Sequence, residues 1–591
     1  MEKLAREDIS AYLFLECKDF RIIKLGVHTT VPPPTCRSIY AALSFYCFED
    51  DTSSHSFAFY NRELEDIGAD IGLRPNLAAE YSRILRGREN SYRFSDVNKS
   101  FAACPSYPEL LVFPASVTDE MALNSAKFRS SGRLPVLSWI SKKTQASLAR
   151  SAQPMVGLKG HRNSVDEQVV RSFGVRNGGD NGSTAALKNE GGGGGNLNLR
   201  LASLSSTPLV IVDARPQKNA VGNMAKGMGF ENADNYGVPL EFLGIENIHT
   251  MRKSWEKLLE LVADSAVLER AGPNKDRGRW HHKLDDCGWL YHIACILKGA
   301  LRVMQLMLGG VSVLVHCSDG WDRTAQLTSL SMLCMDPFYR TIDGFCTLVY
   351  KEWCAFGHPF GLRSATIKPQ DPKLKEKYSP VFLQFLECVY HISCQHPTAF
   401  EFSSNLLIEM ADAAYSCRFG DFLFCCERER VSNKTDEKCA SFWDYAKVHA
   451  SMFENALYIR SREVLYPKAA VRLLTFWSGY YFRWDYSAPM HTALEREIIK
   501  LKAEIRAMRT GAASAAVSDA ENENENDLGA KGDEVDEQPR SRSTVDEFMP
   551  TSLENENLFS AEVEVDDSVS LQAFLSANRS QDDKLSDDDD E

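Results

Sequence analysis

The segment that most constrains this chain is a short polar loop between an apolar run and a helical stretch. The apolar run covers residues 311–315, and a helix is predicted from Thr324 onward. A strand that delivers a loop to the start of a helix turns backbone N–H groups inward, and the positive end of the helix dipole then favours an anion. The sequence therefore predicts a phosphate-binding loop between these two elements.

Cys317 and Arg323, six positions apart, give this loop a nucleophile and an anion clamp. The field of the helix lowers the pKa of Cys317, so the thiolate is available for attack. Arg323 offers a planar fork of donors, which binds a transferring phosphoryl group best in its transition state. Cys334 and Arg340 repeat the spacing without a glycine between them, and Cys334 falls inside the predicted helix. We therefore expect Cys334 to be a buried apolar residue.

Two acids inside an anion-binding loop require an explanation. Asp319 and Asp322 lie within reach of a dianionic phosphate, which repels a carboxylate and raises its pKa. A carboxylic acid with a raised pKa can protonate the leaving alkoxide and then act as a base toward water. Alternatively, one acid pairs with a neighbouring arginine and only holds the loop in shape. We predict Asp322 as the acid and a mainly positional role for Asp319.

Blocks of sequence on both sides of the loop extend the pattern. They include the FRSSGRLPVLSW, SAQP, DARP and GIENIH segments, and they occupy residues 128–139, 151–154, 213–216, 244–249, 339–342, 351–353, 379–385 and 397–402. Together with the loop, they closely resemble the myotubularins, which are phosphoinositide 3-phosphatases of the cysteine-dependent phosphatase superfamily. The resemblance is strong over roughly residues 95–425 and loose on the flanks.

The resemblance implies an α/β, cysteine-dependent phosphatase fold with a central mixed sheet flanked by helices, preceded by a truncated PH-like (GRAM) β module. It implies hydrolysis of phosphatidylinositol 3-phosphate through a phosphocysteine, with Cys317, Arg323 and Asp322 as catalytic residues. The head-group contacts that it implies are Asn223, Asn247, Ile248, Ser318, Asp319, Gly320, Trp321 and Arg363. From the residues alone, Asn223 fits a cap or turn equally well, and Ile248 fits the core.

Two other functions compete with this one. A catalytically inactive adaptor would bind phosphoinositide membranes and an active partner, but the loops of such adaptors usually lack the Cys or the Arg, and both are present here. A protein tyrosine or dual-specificity phosphatase would share the loop but not the blocks around it.

One position departs from the family pattern. Where relatives usually have a basic residue in Gly-His-Arg/Lys-Phe, this chain has Pro359. The loss of that cation weakens recognition of a second phosphate more than attack on the first. We therefore expect a preference for phosphatidylinositol 3-phosphate over the 3,5-bisphosphate.

Changes in composition divide the chain into segments. Residues 1–48 hold two strand-like runs and a helix-like run, which the resemblance assigns to a partial PH-GRAM-like module. From 55 to 482, the myotubularin-type phosphatase domain, short β-rich runs alternate with helical stretches, as is typical of a layered α/β fold. Residues 174–206 are a Gly/Asn/Ser-rich insertion that we predict to be flexible.

The C-terminal part is predicted to differ from the domain before it. In 491–509, apolar residues step by 4, 3, 4 and 3, which indicates a short coiled-coil-like helix or an ordinary amphipathic helix. Residues 510–591 are predicted to be a disordered acidic tail. The net charge of the whole chain is −14, and 511–591 contribute −19 through 24 acids and 5 bases, which leaves +5 for the rest. A mildly basic body suits an enzyme that approaches anionic lipid head groups.

The composition of the chain also limits the cellular compartment and the partners that we expect. Arg302 and Gln305 interrupt the most apolar stretch, so no transmembrane segment is predicted, and the first residues have no signal-peptide core. The 16 cysteines are scattered, which fits a cytoplasmic protein. The resemblance implies peripheral association with endosomal or other phosphoinositide-containing membranes, and a homodimer or a heterodimer with a myotubularin-like protein. No metal, cofactor or nucleic acid is expected.

Overall fold

The central element of the protein is a five-stranded mixed sheet. The structure is a computed structural model, and it describes residues 9–16, 22–28, 30, 32–48, 57–59, 74–174, 209–268, 277–366 and 377–483. The strands within these ranges are β1 Ile9–Glu16, β2 Ile22–His28, β3 Tyr92–Ser95, β4 Leu111–Pro114, β5 Val136–Ile140, β6 Ser147–Ala152, β7 Leu209–Asp213, β8 Leu240–Phe242 and β9 Ser312–Cys317.

Helices cover most of the remaining described residues. They are α1 Pro33–Phe48, α2 Leu77–Leu85, α3 Asp119–Ala126, α4 Ser164–Ser172, α5 Gln217–Met224, α6 Ala233–Tyr236, α7 Ile248–Leu268, α8 Arg277–Cys287, α9 Trp289–Leu308, α10 Arg323–Met335, α11 Ile342–Val349, α12 Phe360–Arg363, α13 Val381–Gln395, α14 Ser404–Ser416, α15 Glu427–Ser432, α16 Thr435–Lys438, α17 Phe442–Val448, α18 Ala450–Phe453 and α19 Ser478–Tyr481. A π-helix at Tyr350–Ala355 continues α11, and short 3-10 turns lie at 57–59, 99–101, 130–132, 337–340, 420–422 and 471–473.

The order of strands in the central sheet is β5-β6-β9-β7-β8. β5 runs antiparallel to β6, and the other neighbours are parallel. Every residue of β6, β7 and β9 is buried, as expected for parallel strands covered on both faces. The carboxyl ends of these three strands therefore meet at one edge, where Ala152 is in register with Cys317 and Asp213 with His316.

The described elements confirm the predicted α/β fold with a central mixed sheet flanked by helices. The strand-like runs at 110–114, 135–138, 209–213 and 311–315 correspond to β4, β5, β7 and β9, and the helical stretches at 253–268, 289–307 and 324–335 lie in α7, α9 and α10. Cys334 is fully buried within α10, as predicted. No described helix is long and apolar enough to cross a membrane.

The N-terminal strand-like runs are also present. β1 and β2 pair antiparallel and α1 follows them, whereas the assignment of this segment to a PH-like module stays a prediction. The insertion at 174–206 (beyond residue 174), the coiled-coil-like segment at 491–509 and the tail at 510–591 lie outside the described residues.

A buried ion network fastens β9 to the segments around it. Arg129 donates to both carboxylate oxygens of Asp166, at 2.9 and 2.7 Å, and to Glu231 at 2.5 Å. His316 Nε2 lies 2.9 Å from the other oxygen of Glu231. All four side chains are inaccessible to solvent. Because each charge has a partner, the removal of one leaves the others buried and uncompensated.

We therefore expect Arg129→Leu to lower the free energy of unfolding by about 3–5 kcal/mol, since Asp166 and Glu231 lose their cation in a dry interior. Chemical denaturation monitored by tryptophan fluorescence measures the change. Lys447→Met is the matched control, because its ion pair with Asp343 spans 3.4 Å and is partly exposed. That control is expected to cost at most about 1 kcal/mol, and equal losses for the two variants would contradict the role given to the network.

Candidate active site

The predicted loop begins at the end of β9 and ends at the first residue of α10. The backbone N–H of Gly320 donates to Cys317 Sγ at 3.3 Å, so the loop turns back over the sulfur. Gly320 has φ +75°, and a Cβ at this position would lie 2.2 Å from the Ser151 carbonyl oxygen. Only glycine fits this turn, because any side chain would collide with the neighbouring strand.

Two buried arginines fix the peptide that follows this turn. Arg150 donates to the Gly320 carbonyl oxygen at 2.7 Å, and Arg133 donates to the same oxygen at 3.1 Å. Arg150 also pairs with Glu352 at 2.7 Å, and Arg133 donates to the Phe356 carbonyl at 2.8 Å. The carbonyl is thereby held by the protein interior while the preceding N–H faces the sulfur.

Glu352 is the anion of this second buried cluster. Burial raises its pKa, but Lys351 and Arg150 outweigh burial and bring the pKa to about 2. Thr328 donates to Glu352 at 2.7 Å and Ser138 at 2.9 Å. The cluster links β5, β6, α10 and the π-helix, so it sets the position of the loop relative to the sheet.

Cys317 has the electrostatic surroundings of a nucleophile. Burial raises the pKa of its thiol, but the charge of Arg323 and the Thr324 hydroxyl outweigh burial, and the pKa ends below its ordinary value. By contrast, burial raises the pKa of Cys334 to about 12. The two Cys-x5-Arg pairs therefore differ in chemistry as their sequence contexts predict.

Arg323 is held beside the loop by backbone carbonyls. Its guanidinium donates to Ile245 O at 3.0 Å and lies 3.5 Å from Ser318 Oγ. The carbonyls come from the GIENIH segment before α7, which explains why that block accompanies the loop. The guanidinium is thus placed before any anion arrives, which lowers the reorganisation needed to bind one.

Asp322 is the loop acid that pairs with an arginine in the structure, the alternative that the sequence had left open for one of the two acids. Arg363 donates a hydrogen bond to each oxygen of this carboxylate, from Nη2 to Oδ2 at 2.7 Å and from Nε to Oδ1 at 3.1 Å. Burial raises the pKa of Asp322, but Arg363 and His358 outweigh it and hold the pKa well below its usual range. Burial and the nearby Asp322 raise the pKa of Asp319.

Arg363 and His358 both act on the second half of the loop. Arg363, predicted as a head-group contact, is buried and already engaged with Asp322, and it also donates to Lys377 O at 2.9 Å. His358 Nδ1 lies 3.0 Å from the Trp321 carbonyl oxygen and 3.2 Å from Asp322 Oδ1. Trp321 is half-buried, with its ring 5.3 Å from the Arg133 guanidinium. The Gly357-His-Pro-Phe360 segment therefore holds the loop through His358, which the sequence prediction missed.

Asn223 is brought to the loop from α5. Its amide donates to Gln153 Oε1 at 3.2 Å and lies 3.5 Å from Ser318 Oγ. Gln153, also missed by the sequence prediction, donates its backbone N–H to the Ser318 carbonyl at 3.1 Å. Its place in the SAQP block, directly after β6, was the signal available in the sequence.

Asn247 and Ile248 have structural contacts. Asn247 Oδ1 accepts from the N–H groups of His249 at 2.9 Å and Thr250 at 3.1 Å, which is helix capping at the start of α7. Ile248 is half-buried against the core, the alternative that the sequence had left open for it. The segment before them contributes to the site through the backbone carbonyls of Ile245 and Glu246, which accept from Arg323. Direct contacts of the Asn247 and Ile248 side chains with a head group stay a prediction.

A buried, ionisable thiol under loop amides and beside an arginine is the chemistry of a phosphatase, and comparison with known proteins agrees. A model of the myotubularin-like phosphatase domain matches residues 56–431. The chain is 38% identical over 511 residues to phosphatidylinositol-3,5-bisphosphate 3-phosphatase MTMR2 of Gallus gallus, which covers 85% of this chain and 82% of that protein. It is 38% identical over 485 residues to myotubularin of Xenopus laevis, with coverages of 81% and 73%. The chain belongs to the myotubularin family.

We expect Cys317 to react with iodoacetamide at a lower pH than an ordinary thiol, because its pKa is lowered and the thiolate is the reactive form. Arg323→Gln removes the nearby charge, so the midpoint of the alkylation profile should rise by about 1–3 pH units. Mass spectrometry of the Cys317 peptide follows the reaction. Cys334 is the internal control and should stay unmodified below pH 9. A Cys317 midpoint equal to that of the denatured chain would contradict this account.

Proposed function

We propose that the protein is a phosphoinositide 3-phosphatase that hydrolyses phosphatidylinositol 3-phosphate. The observation that carries the proposal is Cys317, whose thiol pKa is lowered, lying beside a preplaced Arg323 and accepting the Gly320 N–H of the loop. The relatives, one of them a phosphatidylinositol-3,5-bisphosphate 3-phosphatase, support the lipid class and the position of the phosphate.

The proposed first step is in-line attack of the Cys317 thiolate on the 3-phosphate. An S–P bond forms, the bond between phosphorus and the inositol oxygen breaks, and that oxygen takes a proton from a carboxylic acid. Arg323 and the loop amides stabilise the equatorial oxygens of the transition state. Water then attacks the phosphocysteine, which releases inorganic phosphate and restores the thiolate.

The identity of the proton donor depends on how Arg363 responds to substrate. In the free protein Asp322 is ionised, because Arg363 and His358 stabilise its charge. A substrate phosphate on Arg363 would replace the carboxylate as its partner and repel Asp322, and both effects raise the pKa of Asp322. We propose that Asp322 becomes the acid in this way. Asp319 is the competing donor, since its pKa is raised already without substrate.

Phosphate release from short-chain phosphatidylinositol 3-phosphate tests the activity. The parent protein should release phosphate, and Cys317→Ser should not. A phosphotyrosine peptide serves as the comparison substrate. Release from the peptide alone would favour a protein phosphatase, and no release from either substrate would contradict the proposal in favour of an adaptor.

Asp322→Asn is expected to lower kcat on the lipid by about 10²–10⁴-fold, because the inositol alkoxide needs a proton to leave. On an aryl phosphate, whose leaving group needs no proton, the loss should be far smaller. Since Asp322 is proposed to be protonated only in the substrate complex, the variant should also lose the decline of kcat at high pH. Asp319→Asn is the matched control and should keep that decline. If Asp319→Asn lost the decline at high pH and Asp322→Asn kept it, Asp319 would be the proton donor.

We also expect the parent to have a higher kcat/KM for phosphatidylinositol 3-phosphate than for the 3,5-bisphosphate. Pro359, at the start of α12, brings no cation to the site, whereas family members usually have one there. Pro359→Arg should raise the relative kcat/KM for the bisphosphate by about tenfold, the effect of one charge-assisted hydrogen bond. Pro359→Gln controls for loss of the proline ring, and an equal shift in that variant would show that charge is not the cause.

A further inference from the structure

A basic and apolar surface lies at the edge of the sheet that carries the loop. It is formed by residues 153–163, which follow β6, and residues 214–230, which follow β7; we call these two segments the rim segments. Neither contains an aspartate or glutamate, although the chain has 81 acids. Between them they expose Leu158 and Val221, with 76% and 50% of their surface accessible.

The lysines of the rim segments are exposed beside these apolar residues. Lys159 is adjacent to Leu158 in sequence, and Lys218 lies one helical turn before Val221 on α5. Lys226 follows α5 and is also exposed. Exposed apolar side chains interleaved with lysines, and without acids, are typical of surfaces that bind the interface of a membrane.

The two rim segments are tied to each other and to the loop. Gly157 N–H donates to the Met228 carbonyl at 2.9 Å, and a Cβ at Gly157 would lie 3.4 Å from the Gly227 Cα. Gln153 and Asn223, one from each segment, meet 3.2 Å apart beside Ser318. The two rim segments therefore contact each other and adjoin the loop at Ser318.

We propose that the rim segments are the surface by which the phosphatase domain itself docks on an anionic membrane. Leu158 and Val221 insert among the lipids, and Lys159, Lys218 and Lys226 contact acidic head groups. The inference rests on the proposed function, because a membrane-lipid substrate brings this face to the bilayer. A protein partner is less favoured, since the apolar part consists of separated side chains on a cationic face rather than a continuous patch.

Vesicle flotation with full-length Cys317→Ser protein tests docking without turnover. The vesicles contain phosphatidylcholine with phosphatidylserine and no phosphoinositide, so the head-group site contributes nothing. Leu158→Asp with Val221→Asp should lower partitioning at least about tenfold, from the lost apolar insertion. Lys218→Gln with Lys226→Gln should lower it about fivefold per lysine and reduce its dependence on salt.

Met452→Asp with Ile459→Asp is the matched control, because these residues are 57% and 58% exposed and lie after the last strand of the sheet. This control should bind vesicles as the parent does. Unchanged thermal unfolding would show that each variant is folded. Unchanged partitioning of the Leu158/Val221 variant, or an equal loss in the control, would overturn the proposal. A change of oligomeric state without a change in partitioning would assign the rim to a protein contact and would overturn it too.

Turnover separates this proposal from the proposed function. In the active background, the Leu158/Val221 variant should hydrolyse soluble short-chain substrate at the parental rate and vesicle-borne substrate at least about tenfold more slowly. If the parent hydrolyses neither substrate but the variant loses vesicle binding, the proposed function fails and docking stands. If the parent is active and the variant hydrolyses both substrates at the parental rate, docking fails and the proposed function stands.

Discussion

The carbonyl oxygen of Gly320 receives hydrogen bonds from two fully buried guanidinium groups, and the geometry of the loop depends on them. To bury an arginine costs several kcal/mol unless its charge and donors are satisfied. Glu352 neutralises Arg150, and backbone carbonyls accept from Arg133. A cluster in the interior thus fixes the peptide between Gly320 and Trp321, while the N–H of the preceding peptide donates to the sulfur of Cys317.

A second cluster supports the strand that delivers the nucleophile. Successive side chains of a strand point to opposite faces, so His316 and Cys317 leave β9 in opposite directions. His316 meets Glu231, and Glu231 meets Arg129. Burial raises the pKa of Glu231, yet His316 and Arg129 outweigh it and hold that pKa far below its usual range. The end of β9 is therefore anchored through His316 on one face, while Cys317 lies on the other face.

The sequence predicted those parts of the molecule that local pattern controls. The buried strands, the helix after the loop and the difference between Cys317 and Cys334 follow from residues close together in the chain. The low pKa of Asp322 could not be predicted from the sequence, because its partner Arg363 lies 41 positions away and no local pattern joins the two residues. His358 was missed for the same reason, whereas Gln153 stands in the SAQP block, which was a signal in the sequence. Asn247 is a different case, since an asparagine directly before a helical run is a capping signal that the sequence did contain.

The pairing of Arg363 with Asp322 has a consequence for the product. A free orthophosphate ion can use Arg363 only if it displaces a carboxylate that already fits the guanidinium with two hydrogen bonds. A ligand that brings binding energy from the rest of its structure can meet that cost, whereas a free ion has no such source. In the structure the Asp322 carboxylate therefore already occupies the Arg363 guanidinium, and an anion without further binding energy has to compete with it.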